Sequence, residues 1–249
     1  MKTLFENILE CMDSLFELQK RLAEIEEKIH YTFVNKELLI LAFVHRSFLN
    51  EHRNEVSQHN ERLEFLGDSV LGLAVGDFLY HRLPNHPEGE LSQLRSQLVD
   101  AAACAHYLQK LSLAEYILLG RGERLGEGKA KASILADVFE ALIGACYIDG
   151  GMAAAKALLL GNFDAEIETA IGNPSRNYKA ELQDYSQKKW QKAPVYQIIQ
   201  EAGPDHAKVF HVMVSINDKE AGIGIGASKK EAEQRAALEA LSKINEEKL

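Results

Sequence analysis

The sequence predicts an all-α domain followed by a small α+β module of order α-β-β-β-α. Three observations carry this. Apolar residues recur at helical spacing from the N-terminus to about Ala170, with no strand-period run among them. GNPSRN, from Gly172 to Asn177, then gathers Gly, Pro, Ser and Asn in the manner of a linker. Beyond it, three short strand-like runs lie between two helical ones.

Taken in order, Leu4, Ile8, Cys11, Leu15, Leu18, Leu22, Ile25 and Ile29 alternate steps of four and three, a heptad stripe that predicts an amphipathic helix. Phe5, Leu9, Met12 and Phe16 widen its first half. Such a helix packs on its own domain or joins a partner subunit. Helices are next predicted around Lys36–Asn50, Asn60–Arg82, Leu91–Leu111, Ser133–Ile148 and Met152–Ala170, with Asp149-Gly150-Gly151 as the stop between the last two. In the module, a helix over Tyr178–Lys189 precedes the runs VYQIIQ, KVFHVMVSI and EAGIGIG. A last helix opens at Ser228 and reaches about Ile244.

Hydrophobic residues at 46% and charged residues at 26% of 249 describe a soluble globular chain with room for a sizeable core. Cys11, Cys104 and Cys146 lie in apolar helical surroundings without metal spacing, as reduced thiols of a cytoplasmic protein do. The N-terminus carries acids throughout, which excludes a signal peptide, and no apolar window approaches a membrane span. The net charge of −9 argues against nucleic acid until its distribution is considered. Residues 177–249 hold 11 of the 28 basic and 11 of the 37 acidic side chains, so this part is neutral with local lysine clusters.

The helical part places acids where they are costly. Glu61, Glu64 and Asp68 stand at i, i+3 and i+7 of an apolar helix, within about 60° of one another. Asp77 falls on the opposite side. In SILADVFEALIGACYI, Asp137 and Glu140 are the only charges and are again one turn apart. Buried carboxylates are paired or coordinate metal. Two acidic ridges that face each other would share divalent cations, and all-oxygen ligation selects Mg²⁺ or Mn²⁺. The plainer reading makes each ridge a wetted helix edge paired with lysines elsewhere. A di-iron bundle needs paired Glu-x-x-His motifs, and only Glu27–His30 fits.

NERLEFLGDSVL and SILADVFEALIGA resemble the two acidic signatures of bacterial ribonuclease III, and LLILAFVHRSFLNE and GELSQLRSQLV match its usual pattern. The resemblance runs from about Leu22 to Leu241. It implies a catalytic domain over 21–171, a linker over 172–177, a double-stranded RNA-binding domain over 178–246, and an N-terminal helical extension over 1–20. By position, the family's metal ligands fall on Glu64, Asp68, Asp137 and Glu140, with Glu61 at the edge of the catalytic valley. Glu61, Asp68 and Glu140 are the expected catalytic positions. Phe65 matches an aromatic that inserts into the partner of a homodimer. The implied activity is Mg²⁺-dependent hydrolysis of double-stranded RNA, with Mn²⁺ able to substitute. It leaves 5′-phosphate and 3′-hydroxyl ends with short 3′ overhangs, in the processing of ribosomal and other structured RNA.

In the module, GASKKEAEQRAA suits Ser228 as the N-cap of the last helix, with Lys229 and Lys230 at its open N–H groups, where an RNA phosphate would lie. The resemblance adds Gln183 and His206 as minor-groove contacts. Glu233 departs from it, standing where many eukaryotic relatives carry a third lysine, which predicts modest, salt-sensitive affinity. GIGIG is followed by no Walker pattern, so no nucleotide cofactor is expected. Two other functions fit less well: a non-cleaving RNA-binding or ribosome-associated protein, which should have lost acids, and a DNA hydrolase.

Overall fold

The helices begin and end where backbone groups find other partners. The computed structural model describes residues 14–124, 129–172, 177–204 and 208–246, and the chain divides into two compact units, Met1–Ser175 and Arg176–Leu249.

The first unit is helical: α1 (Leu15–Lys20), α2 (Leu22–Ile29), α3 (Lys36–Ala42), α4 (Arg46–Glu51), α5 (Glu61–Arg82), α6 (Glu88–Leu98), α7 (Ala101–Lys110), α8 (Arg121–Arg124) and α9 (Lys129–Gly172). Three predicted helices are each divided into two. The heptad stripe breaks at Arg21, with φ −104°, because its guanidinium donates to Glu24, Glu115 and the Tyr116 hydroxyl. The part of the stripe before Ser14 lies outside the described residues. Lys36–Asn50 is two helices, because Val44 leaves the helix to form a parallel bridge with Leu118. The Leu118 N–H donates to the Phe43 carbonyl at 2.8 Å and the His45 N–H to the Leu118 carbonyl at 3.1 Å. Leu91–Leu111 is likewise two, since Asp100 accepts the Ala103 N–H at 2.8 Å and caps α7.

The Asp149-Gly150-Gly151 stop is present as a left-handed Gly151, φ 70°, that divides α9. The Asp149 carboxylate accepts the Tyr31 hydroxyl and the Val34 and Asn35 N–H groups, each at 2.8 Å, and so ties the entry to α3 to this point. A second departure inside α9, at Phe163 with φ −128°, has no breaker residue to announce it.

The core lies where α5 and α7 pack on α9. Tyr107, Phe139 and Phe163 form a ring cluster with centroids 4.3–5.7 Å apart. Leu71, Leu79, Leu108, Leu142 and Leu158 are buried around it. Each such side chain contributes roughly 1.5–3 kcal/mol. Cys104 and Cys146 are buried free thiols in the same core. Among the described residues no helix is long and apolar enough to cross a membrane.

The second unit has the order α10 (Tyr178–Trp190), β1 (Val195–Ala202), β2 (Val209–Ile216), β3 (Lys219–Gly226) and α11 (Lys229–Glu246). Its strands form one antiparallel sheet in sequence order. Asn217 and Asp218, both at positive φ (48° and 64°), make the tight turn from β2 to β3. Val212 pairs with Gly224 and Val214 with Gly222. The glycines of β3 face α11, where a Cβ on Gly222 would stand 2.8 Å from the Ala240 nitrogen and one on Gly226 2.6 Å from the Ala232 nitrogen. Helix and strand therefore meet backbone to backbone over a core of Leu182, Val214, Ile216, Ala236 and Ala240.

Candidate active site

Helix α5 starts from a buried asparagine. Asn60, 1% exposed, donates its N–H to the Val44 carbonyl at 2.9 Å and its side-chain amide to the Ala42 carbonyl at 3.3 Å. Its own carbonyl accepts the Leu63 and Glu64 N–H groups at 2.8 and 2.9 Å. The turn that carries Glu61 and Glu64 is thereby fixed to the end of α3.

One turn later α5 and α9 touch through glycine. A Cβ on Gly67 would stand 2.6 Å from the Glu140 carbonyl carbon and 3.0 Å from the Gly144 nitrogen. A Cβ on Gly144 would stand 3.1 Å from the Leu63 carbonyl carbon. Bare backbone on both sides lets the helices approach at the level of the acids, so Glu64 and Asp68 come near enough to Asp137 and Glu140 for their charges to act on one another.

Glu64, Asp137 and Glu140 are half-buried, Glu61 and Asp68 exposed. Among the described residues, none of Glu64, Asp68, Asp137 and Glu140 forms an ion pair. The remaining acids of α5 do: Glu61 lies 3.3 Å from the Arg46 guanidinium, and Asp77, on the far side, pairs with Lys156. Burial raises the Glu64 pKa, and the charges of Asp137, Glu61 and Asp68 raise it further. Asp137 is raised by burial and then by Glu61. Glu140 is pushed up to about 7 by burial and by Asp68, Glu64 and Asp137. Cys104, beside Glu140, is a thiol driven upward by burial and by that same carboxylate, which leaves it uncharged.

Neighbouring acids that each make the next harder to ionise are suited to a hard divalent cation, which all-oxygen donors favour. No three His, Cys, Asp or Glu side chains among the described residues close on a single point that could hold a metal ion, as mutually repelling carboxylates would not. A pocket of about 320 Å³ adjoins them, lined by Glu61, Glu64 and Asp137 together with His45, Arg46 and Glu123.

Phe65 is 78% exposed and no part of the core. With Leu73 and Tyr80, at 62% and 70%, it gives α5 an apolar outer face.

In the second unit, Ser228 caps α11. Its hydroxyl accepts the Glu231 N–H at 3.2 Å, while the Glu231 carboxylate accepts the Ala227 N–H at 2.8 Å. Lys229 and Lys230 project from this end, exposed, with the Lys229 ammonium 3.8 Å from Glu201 and 5.6 Å from the Phe210 ring. Gln183 is exposed on α10. His206 lies outside the described residues. Glu233 is engaged within the fold, 2.6 Å from the Lys179 ammonium, and joins α11 to α10.

A Ribonuclease-III-like family model matches residues 35–165, and a double-stranded RNA binding motif matches residues 178–244. The chain belongs to the ribonuclease III family. Ribonuclease 3 of Protochlamydia amoebophila is 59% identical over 220 residues, 88% of this chain and 90% of that protein. Ribonuclease 3 of Anoxybacillus flavithermus is 43% identical over 223 residues, 90% of this chain and 94% of that one. The solved nuclease domain of Campylobacter jejuni ribonuclease III is 39% identical, with a TM-score of 0.52 over 63% of this chain and 99% of that chain. A second structure of that domain concerns flexibility in the region involved in its dimer formation. It is 41% identical, with a TM-score of 0.51 over 57% of this chain and 99% of that chain.

Two features of this ribonuclease III chain carry no mark in the spacing of its acids. Gly67 and Gly144 set the helix contact; their signal is glycine inside an apolar helix, which costs about 1 kcal/mol against alanine and so points to a close approach. His45, the N-cap of α4, and Glu123, in α8, reach the pocket from elements far apart in sequence, and only the tertiary fold brings them there.

Proposed function

We propose that this ribonuclease III chain is a double-strand-specific endoribonuclease acting as a homodimer. In this reading 21–171 is the nuclease domain, 172–177 a linker and 178–246 the double-stranded RNA-binding domain, with 1–20 an added helical extension. The observation that carries it is the close approach of α5 and α9 at the level of four mutually repelling carboxylates, with no ion pair among the described residues to neutralise them.

Glu64, Asp68, Asp137 and Glu140 would hold Mg²⁺, or Mn²⁺ in its place. Bound there, the ion supplies an activated water and offsets negative charge gathering on the scissile phosphate and its departing 3′ oxygen. The chain's own part is positional. Contact at Gly67 and Gly144 fixes the spacing of the ligands, Asn60 fixes the first turn of α5, and Glu61, restrained by Arg46, stands at the edge of the valley. The products would carry 5′-phosphate and 3′-hydroxyl ends. Phe65, on the apolar face of α5, would enter the partner subunit and set two cutting centres at a fixed separation.

Duplex capture falls to the second domain. The capped N-terminus of α11 offers N–H groups and two lysines to phosphate, and Gln183 and His206 would reach the minor grooves of A-form RNA. The same reading puts the enzyme in the cytoplasm, among precursors of ribosomal and messenger RNA.

The deciding experiment compares the full chain with Glu140→Ala on a long RNA duplex with and without Mg²⁺. The variant is expected to retain duplex binding while cleavage falls by orders of magnitude. Equal cleavage by both proteins overturns the site. Binding without cleavage by the unaltered chain makes it a silent RNA-binding protein, and equal cutting of DNA duplex makes it a general nuclease.

A further inference from the structure

The pocket beside the acids contains a hydrogen-bond donor with no role in the hydrolysis described above. His45 Nδ1 accepts the Ser47 N–H at 3.2 Å and lies 2.7 Å from the Ser47 hydroxyl oxygen. That oxygen also accepts the Gly120 N–H at 2.8 Å, so its proton is directed at Nδ1. An imidazole whose Nδ1 accepts carries its single proton on Nε2. Burial lowers the His45 pKa, against the pull of Glu123, and favours this neutral form. Nε2 has no hydrogen-bond partner among the described residues. The ring lines the pocket with Glu61 and Glu123.

This combination suits one kind of oxygen. A phosphate oxygen only accepts, and would meet carboxylates here, while Arg46, which lines the pocket, is engaged with Glu61. A hydroxyl both accepts and donates: its oxygen accepts a hydrogen bond from Nε2–H while its own O–H donates one to a carboxylate. On an RNA duplex such a group is the ribose 2′-hydroxyl, and it is what separates RNA from DNA. We propose that His45 Nε2–H, with Glu123 as the matching acceptor, grips a ribose 2′-hydroxyl beside the scissile phosphate. The nuclease centre itself then selects RNA. The inference rests on the endoribonuclease reading.

The test uses the full chain with Mg²⁺ and RNA duplexes carrying single 2′-deoxy nucleotides at successive positions around one cleavage site. His45→Asn keeps an acceptor for the Ser47 N–H but withdraws the pocket donor; His45→Gln restores an N–H at nearly the same reach. Single-turnover cleavage by the unaltered enzyme is expected to fall about tenfold at one deoxy position, the worth of one hydrogen bond. His45→Asn should lose about the same on all-ribose duplex and little more on that deoxy substrate, and His45→Gln should recover the discrimination. Independent, multiplying losses overturn the contact. So does coupling to a phosphorothioate oxygen in place of the hydroxyl. If His45→Asn fails to fold, by its melting transition, the deoxy scan of the unaltered enzyme still decides: a flat scan overturns the proposal. An unaltered enzyme that cleaves no RNA duplex overturns the endoribonuclease reading, and the 2′-hydroxyl contact with it.

Discussion

Gly67→Ala adds one methyl group at the point where α5 and α9 touch. That Cβ would stand 2.6 Å from the Glu140 carbonyl carbon, and ordinary carbon–carbon contact begins near 3.5 Å, so the helices must part by about 1 Å. Overpacking of this kind costs about 1–3 kcal/mol, against a helix-propensity gain of at most about 1 kcal/mol. In a domain of this size a net loss of about 2 kcal/mol lowers the melting midpoint by roughly 4–8 °C. The larger effect falls on the chemistry. Glu140 is the residue displaced, and misplacement by about 1 Å costs on the order of a hundredfold in rate. Gly161→Ala, in α9 with nothing within 4 Å of its added Cβ, is the control and should be neutral or stabilising by up to about 1 kcal/mol. Scanning calorimetry and single-turnover cleavage measure both quantities. A Gly67→Ala protein with the parent's midpoint and rate would refute the claim that backbone contact sets the carboxylate spacing.

Three further outcomes are expected. Burial and the neighbouring acids push the Glu140 pKa up from the ordinary 4.5 to about 7, so the folded state binds an extra proton between those values. Metal-free stability should therefore fall as pH rises from 4.5 to about 7, and Glu140→Gln should flatten that slope in urea titrations; an unchanged slope contradicts the assignment. Phe65→Glu places a charge on the apolar face of α5, where Phe65 is 78% exposed. It should shift sedimentation toward monomer and leave the unfolding free energy of the isolated subunit within about 0.5 kcal/mol. Lys229→Ala with Lys230→Ala should weaken duplex binding and reduce the slope of log affinity against log salt by about two, read by filter binding from low to moderate salt; an unaltered slope removes these lysines from phosphate contact.

Much of this was legible residue by residue. The α5 helix was predicted from Asn60 to Arg82 and runs from Glu61 to Arg82, because a long apolar-periodic segment with a polar start leaves little choice. Ser228 announces the start of α11 by side-chain chemistry that acts over three residues. Events decided by distant partners were not legible. Val44 leaves its helix for Leu118, and Arg21 breaks α1 from α2 for Glu115 and Tyr116. Asp100 did carry a local sign, a capping residue ahead of three alanines, which the continuous apolar pattern obscured. The acids of α5 and α9 could be assigned to one face of each helix from spacing alone. That the two faces meet depends on glycines whose meaning lies in the neighbour they admit. Phe65 shows the same limit, since a helix apolar on all sides does not reveal which side looks outward.

The bare inner edge of β3 has a consequence for how the second domain can change over time. Strand and helix there fit by vacancy: three glycines leave a trough, and alanines occupy it. A slip of α11 by one residue would drive Arg235 or Leu241 into that trough, so the helix is indexed along the strand like a key in a slot. The lysines at its leading end inherit that indexing.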